Sequence, residues 1–219
     1  MGAQAQLGSR ARPSPRVYLV IPWKDDPAVT GGIVDALASG VVVAALARLP
    51  DGDERSLINY TKMLSAPVQD SGAALLVDGH PEIVARAGAD GAHISGVDTL
   101  ETAIGALKPD RIVGVGGVKT RHDAMLAGEA GVDYVMFGEP DKLGHRPSFE
   151  AITERVAWWA ELFVVPCVAY AASFLEVETL CAAGADFIAV EDLIFSDPRG
   201  ARAAADDLKL RLDRTEMAE

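Results

Sequence analysis

One short phrase occurs three times in this chain: Ala87-Gly88-Ala89-Asp90-Gly91-Ala92-His93-Ile94, Ala130-Gly131-Val132-Asp133-Tyr134-Val135-Met136-Phe137 and Ala183-Gly184-Ala185-Asp186-Phe187-Ile188-Ala189-Val190. In each, a glycine supplies the left-handed backbone that closes a helix, an aspartate can bond nearby backbone amides, and an apolar run forms the next buried strand. A chain that repeats this joint is built from β-strand and α-helix pairs laid side by side.

The pairs can be counted from end to end. Strands are expected at Val17 to Ile21, Val41 to Leu46, Ala73 to Val77, Gly91 to Ile94, Ile112 to Val115, Tyr134 to Phe137, Val164 to Tyr170 and Phe187 to Val190. The intervening helices are expected at Pro27 to Ser39, Asp51 to Ala66, Pro81 to Ala87, Asp98 to Leu107, Thr120 to Ala130, Phe149 to Glu161, Ser173 to Ala183 and Pro198 to Leu212. The spacing of Leu100, Ala103, Ile104 and Leu107 places them on one helical face. Nearly continuous apolar strands imply a parallel sheet covered by helices, and eight units imply a single (β/α)8 TIM barrel, class α/β. An open doubly wound sheet usually has fewer strands and a glycine-rich first loop, whereas Pro22-Trp23-Lys24-Asp25-Asp26 has no glycine. The barrel is expected over residues 17–212, between a disordered tail at 1–16 and a short tail at 213–219.

Composition narrows the partners. Of 219 residues 49% are apolar, enough for one large core. Acids outnumber bases 32 to 20, for a net charge of -12, which opposes nonspecific binding to nucleic acid or an anionic membrane. No apolar run approaches the roughly 20 residues needed to cross a bilayer. The first 16 residues hold three arginines and no signal-like apolar core, and the 2 cysteines, Cys167 and Cys181, suit reduced core positions. A cytoplasmic protein is the expectation, with a mitochondrial presequence as the rival. Of the pair Trp158-Trp159, one outward ring would suit a subunit contact in a homo-oligomer, and core packing of both is the alternative.

A barrel places its chemistry just past the carboxyl ends of its strands. Those positions carry Trp23 and Lys24, Arg48, Asp78 and His80, Ser95 and Asp98, Gly116 and Gly117, Glu139, Asp141, Lys142, His145 and Arg146, Tyr170 and Ser173, and Glu191 and Asp192. A small-molecule ligand is therefore expected there. Asp78 and Asp98, on neighbouring strands, are candidates to share a Mg2+ ion, since a hard cation favours oxygen ligands. Each can instead cap the following helix, and Asp98-Thr99-Leu100-Glu101 reads as a capping box. If Ala92 faces the helices, His93 points into the barrel, where a neutral imidazole bonded to a neighbour is the usual outcome. His80 and His145 lie in rim loops, where they could exchange protons or merely be exposed. Gly114-Val115-Gly116-Gly117 resembles a phosphate-cradling turn, but small residues are also needed where strands crowd. The segment 138–147 is the longest rim loop and a candidate lid. No nucleophilic triad, zinc spacing or Walker loop is present.

These residues resemble the thiamine phosphate synthase family and its thiazole tautomerase relatives. Gly88-Ala89-Asp90-Gly91-Ala92-His93-Ile94 is similar to the family's G-A-D-G-V-H-L, with Asp98 at the acid of the following G-Q-x-D. The likeness extends to Ile112-Val113-Gly114-Val115, to Gly131 through Gly138 (the family's G-A-D-Y-I-G-F-G) and to Gly184 through Val190, in register from Val17 to Leu212. The resemblance implies a (β/α)8 barrel and a Mg2+-assisted transfer of a pyrimidine methyl group from its diphosphate onto a thiazole phosphate, releasing pyrophosphate.

Departures fall on the ligand-binding positions. The family's Q-L-R-x-K matches Ala45-Leu46-Ala47-Arg48-Leu49, and its N-D-R matches Asp78-Gly79-His80, so the usual metal-binding acid falls on Gly79, with Asp78 next door. Gly116-Gly117-Val118 stands where the family has a hydroxyl- and histidine-bearing turn, and Lys142 or Arg146 would have to serve for its threonine-lysine pair. The phosphate-binding glycine pair becomes Tyr170-Ala171, and the serine after the eighth strand becomes Glu191, followed by Asp192. Acids there would repel phosphate at short range unless protonated or bridged by a cation. Three readings follow: a synthase with a rearranged site, a different enzyme acting on a less anionic molecule, or a non-catalytic binding or regulatory barrel.

Overall fold

The computed structural model describes residues 14–23, 27–50, 52–141 and 143–216. The expected N-terminal tail through residue 13, the last three residues, Lys24 and Lys142 lie outside them. Eight parallel strands close on themselves in chain order: β1 (Arg16–Ile21), β2 (Val42–Ala47), β3 (Ala74–Asp78), β4 (Gly91–Ser95), β5 (Ile112–Gly116), β6 (Tyr134–Phe137), β7 (Cys167–Tyr170) and β8 (Phe187–Val190). Closure is made by β1 pairing with β8, Tyr18 opposite Ala189. Helices α1 (Pro27–Leu37), α2 (Glu54–Gln69), α3 (Val84–Ala87), α4 (Leu100–Leu107), α5 (Arg121–Glu129), α6 (Phe149–Leu162) and α7 (Phe174–Ala182) connect the strands. The short α8 (Asp192–Phe195) and the long α9 (Ala201–Glu216) follow β8. The expected (β/α)8 barrel is the observed fold.

The repeated phrase works at the start of the strands. The carboxylate of Asp90 accepts the Leu75 N–H at 2.8 Å, that of Asp133 accepts Val113 N–H at 2.7 Å, and that of Asp186 accepts Cys167 N–H at 2.8 Å. Each aspartate returns its own N–H to the carbonyl of the same partner. Three acids thus clasp β3 to β4, β5 to β6 and β7 to β8 at the amino end of the barrel, satisfying backbone groups that lie just outside the ladder.

Two apolar layers result. Between strands and helices lie Ala92, Val113, Val135, Ile188 and the fully buried Trp159, among many others. Inside the barrel lie Tyr18, Val20, Leu46, Leu76, Tyr134, Met136, Val168, Tyr170 and Ala189. The strand alternation that sends Ala92 outward sends His93 into the barrel, where it is 1% exposed. Trp158 is half-buried, stacked edge-on against Trp159 and Phe163 with Arg121 over its ring, so both tryptophans belong to the packing of α6.

Some boundaries differ from expectation. β7 starts at Cys167 rather than Val164, because Pro166 cannot donate to the ladder and Val164 is 100% exposed. The capping box expected at Asp98 does not form: α4 begins at Leu100 behind Thr99, with no side-chain cap, and Asp98 sits exposed in the preceding turn. Gly96, at φ +76, donates its N–H to the Gly116 carbonyl two residues before Asp98, and the N-cap position falls on Thr99. A capping box does form one unit later, where Thr120 and Asp123 exchange side-chain and backbone hydrogen bonds.

Candidate active site

The carboxyl ends of the strands surround a cavity of about 840 Å³, lined among others by Trp23, Arg48, Asp78, Ser95, Glu139, Asp141, Tyr170, Glu191 and Asp192. Five carboxylates and one guanidinium face it among the described residues. Arg48, just past β2, holds Asp78, the last residue of β3, at 2.6 Å, and its other terminal nitrogen stands 3.9 Å from Glu139. Its charge is already partly spent on its neighbours.

Beneath this mouth runs a polar chain through the apolar lumen. The Tyr18 and Tyr134 hydroxyls meet at 2.7 Å, Tyr134 meets His93 Nδ1 at 2.9 Å, and His93 Nε2 meets Glu139 Oε1 at 3.3 Å. An ionised Glu139 can only accept, so Nε2 carries the hydrogen directed at it, and the two phenols continue the chain from Nδ1. Burial pushes both tyrosines well above the ordinary phenol range and keeps them neutral. For Glu139, burial pulls upward, but the adjacent His93, its hydrogen bond and the charge of Arg48 outweigh it and hold the carboxyl below its usual value. Glu139 is therefore an anion with a side chain only 8% exposed. Its Oε2 lies 3.2 Å from His93 Nε2 and is inaccessible to bulk solvent.

The glycines of β5 make room for this chain. A β-carbon at Gly114 would fall 1.9 Å from the Tyr134 ring, and one at Gly116 would fall 1.9 Å from Glu139 Oε1 and 2.6 Å from His93 Nε2. Close packing therefore accounts for these two glycines. Gly117, with φ +60, borders an adjoining cavity of about 340 Å³ shared with Ser95, Glu139, His145 and Arg155.

Other rim residues are placed as follows. Arg146 spans two loops: it donates to the Gly138 and Tyr170 carbonyls, pairs with Glu176 at 3.0 Å and lies 5.4 Å from the Tyr170 ring centre. Burial, then the charges of Glu191 and Asp192, push the Tyr170 phenol up to about 12. His80 adopts φ 50 and binds Glu82 at 3.0 Å, while His145 is mostly exposed beside Asp141. Glu191 occupies the N-cap position of α8 without a side-chain cap bond, and Asp192 is the first residue of that helix. The structure thus joins Arg48, Asp78, His93, Glu139, Tyr170, Glu191 and Asp192 into one site, with Gly116 behind it and Arg146 bracing its wall. His80 and Asp98 stand apart from the lining. Sequence reasoning missed Tyr18 and Tyr134; the available signal was a phenol on the inward-facing parity of an apolar strand.

No group of three or more His, Cys, Asp or Glu side chains poised for a metal occurs among the described residues. Asp78 faces the mouth with one oxygen held by Arg48, and Asp98 lies exposed on the next loop, outside the lining.

A parallel barrel whose carboxyl end opens on a polar, charged cavity defines a small-molecule site of the TIM-barrel type. The chain belongs to the thiamine monophosphate synthase family, whose sequence profile matches residues 17–194. It is 37% identical over 196 residues to a thiamine-phosphate synthase of Rhodospirillum centenum, covering 88% of this chain and 95% of that one. A Hyphomonas neptunium thiamine-phosphate synthase is 33% identical over 208 residues, covering 90% and 93%. Among solved structures, a thiamine phosphate pyrophosphorylase from Pyrococcus furiosus superposes with a TM-score of 0.75 at 20% identity, covering 91% of this chain and 96% of that one, which speaks to the fold.

Proposed function

We propose that the protein is a thiamine-phosphate synthase-like transferase that joins a hydroxymethylpyrimidine diphosphate to a thiazole phosphate. The thiazole supplies an electron pair to the pyrimidine methylene carbon as the bond from that carbon to the diphosphate oxygen breaks, and that bond's electrons leave with pyrophosphate. The carrying observation is similarity to thiamine-phosphate synthases along nearly their whole length. Arg48 is the described cation that faces the cavity, while Lys142 and Arg146 are the further candidates for the phosphates. Asp78, and Asp98 from the next loop, are the candidates that would hold Mg2+, which would neutralise charge on the leaving diphosphate. We place the reaction in the cytoplasm; no helix among the described residues is long and apolar enough to cross a membrane.

A second reading, a barrel that binds a less anionic molecule with or without turnover, is favoured by Glu139, Glu191 and Asp192 in the mouth. Pyrophosphate release from both precursors with Mg2+ tests the first. Release by the intact protein that falls at least tenfold in Asp78→Ala and in Asp98→Ala supports condensation. No release at any precursor concentration defeats it.

A further inference from the structure

The amino end of the barrel encloses space that the chemistry at the other end does not use. Inward-facing side chains of a (β/α)8 barrel are ordinarily bulky and fill the lumen layer by layer. At the lowest layer this chain turns Ala44, Ala74 and Gly91 inward, and a β-carbon on Gly91 would fall 2.1 Å from the Ile112 carbonyl oxygen. What remains is a cavity of about 270 Å³, roofed by Tyr18 and Tyr134 and walled by Ile112, Val168 and Phe187. An apolar cavity of about 150 Å³ already admits benzene, and drug-sized ligands need about 300–1,000 Å³, so the space fits one small ring and its substituent.

Two charged residues border this cavity, and they differ. Asp133 is occupied, with one oxygen on Lys108 and the other on the Val113 N–H. Arg16, on the inward parity of β1, rests its guanidinium 4.9 Å from the centre of the Phe187 ring and has no carboxylate partner among the described residues. A guanidinium over an aromatic face retains in-plane N–H donors whose fork matches a carboxylate. The walls exclude a bare inorganic anion on the same grounds, since it would meet a single cation and an apolar surface that cannot hydrogen-bond it.

We propose that the amino end of the barrel is a second binding site, for a small aromatic monocarboxylate whose ring enters the cavity and whose carboxylate meets Arg16. The site is separate from the mouth and does not depend on the condensation reading.

The test is titration of the full chain at neutral pH, followed by fluorine NMR, with 4-fluorobenzoate and with 4-fluorobenzyl alcohol, the same ring without charge. The acid should bind saturably and at least fivefold more tightly than the alcohol, and equimolar inorganic phosphate should not displace it. Arg16→Gln should lower affinity for the acid at least tenfold and leave that for the alcohol unchanged. Ala44→Leu, which fills the cavity, should abolish binding of both, each variant first checked for a native melting transition. Equal affinity of the two probes, no saturable binding of the acid, displacement by phosphate, or wild-type affinity in either folded variant would overturn the proposal. Should Ala44→Leu fail to fold, Arg16→Gln decides alone, because that side chain is exposed and its loss leaves the packing intact.

Discussion

The two ends of the barrel use the same chemical group in opposite ways. At the amino end, Asp90, Asp133 and Asp186 spend their carboxylates on strand amides, and the cavity there, about 270 Å³, is walled largely by apolar side chains such as Ala44, Leu76, Ile112 and Val168. At the carboxyl end, Asp78, Glu139, Glu191 and Asp192 gather around open space. Acids at one end hold the barrel together; acids at the other set its electrostatic character.

The largest effect should come from the partition between the ends. Gly114→Ala forces a β-carbon into the Tyr134 ring and should cost about 3 kcal/mol, the upper range for overpacking a core, read from urea denaturation. A loss below about 1 kcal/mol would show that the tyrosine pair can shift freely. Next, Asp133→Ala should cost about 2 kcal/mol by orphaning the Val113 N–H and releasing Lys108, with pyrophosphate release at the mouth unchanged. Asp133→Asn should recover part of that loss, since an amide oxygen can still accept. A drop in pyrophosphate release that matches the drop in stability would erase the distinction between the two ends. The smallest change in stability, within about 0.5 kcal/mol, is expected for Glu191→Gln combined with Asp192→Asn. Those acids help hold the Tyr170 phenol up at about 12, so its ultraviolet titration should move to lower pH in the double variant. An unmoved midpoint would leave burial as the sole cause.

The contrast also explains what the sequence reveals. The aspartate clasps recur in a fixed phrase because each joins strands that are neighbours in the chain, so local pattern suffices to read the barrel. His93 could be placed inside by parity alone, two residues after Gly91. Its partners could not be read that way. Tyr18 reaches Tyr134 across 116 residues and His93 reaches Glu139 across 46, contacts that exist only once the barrel closes. Arg48 and Arg146 read as anion anchors in the linear chain, and the fold adds what the chain does not show, an ion pair of Arg48 with Asp78 and of Arg146 with Glu176. The glycines of β5, suggestive of a phosphate turn, instead vacate space for Tyr134 and Glu139.

The touching hydroxyls of Tyr18 and Tyr134 make a septum across the cylinder. Both rings roof the lower cavity and neither lines the upper one, so the two openings are insulated from each other. A tether, dye or surface attachment at the lower opening would leave ligand traffic above undisturbed, which makes that end the natural handle for immobilising this protein.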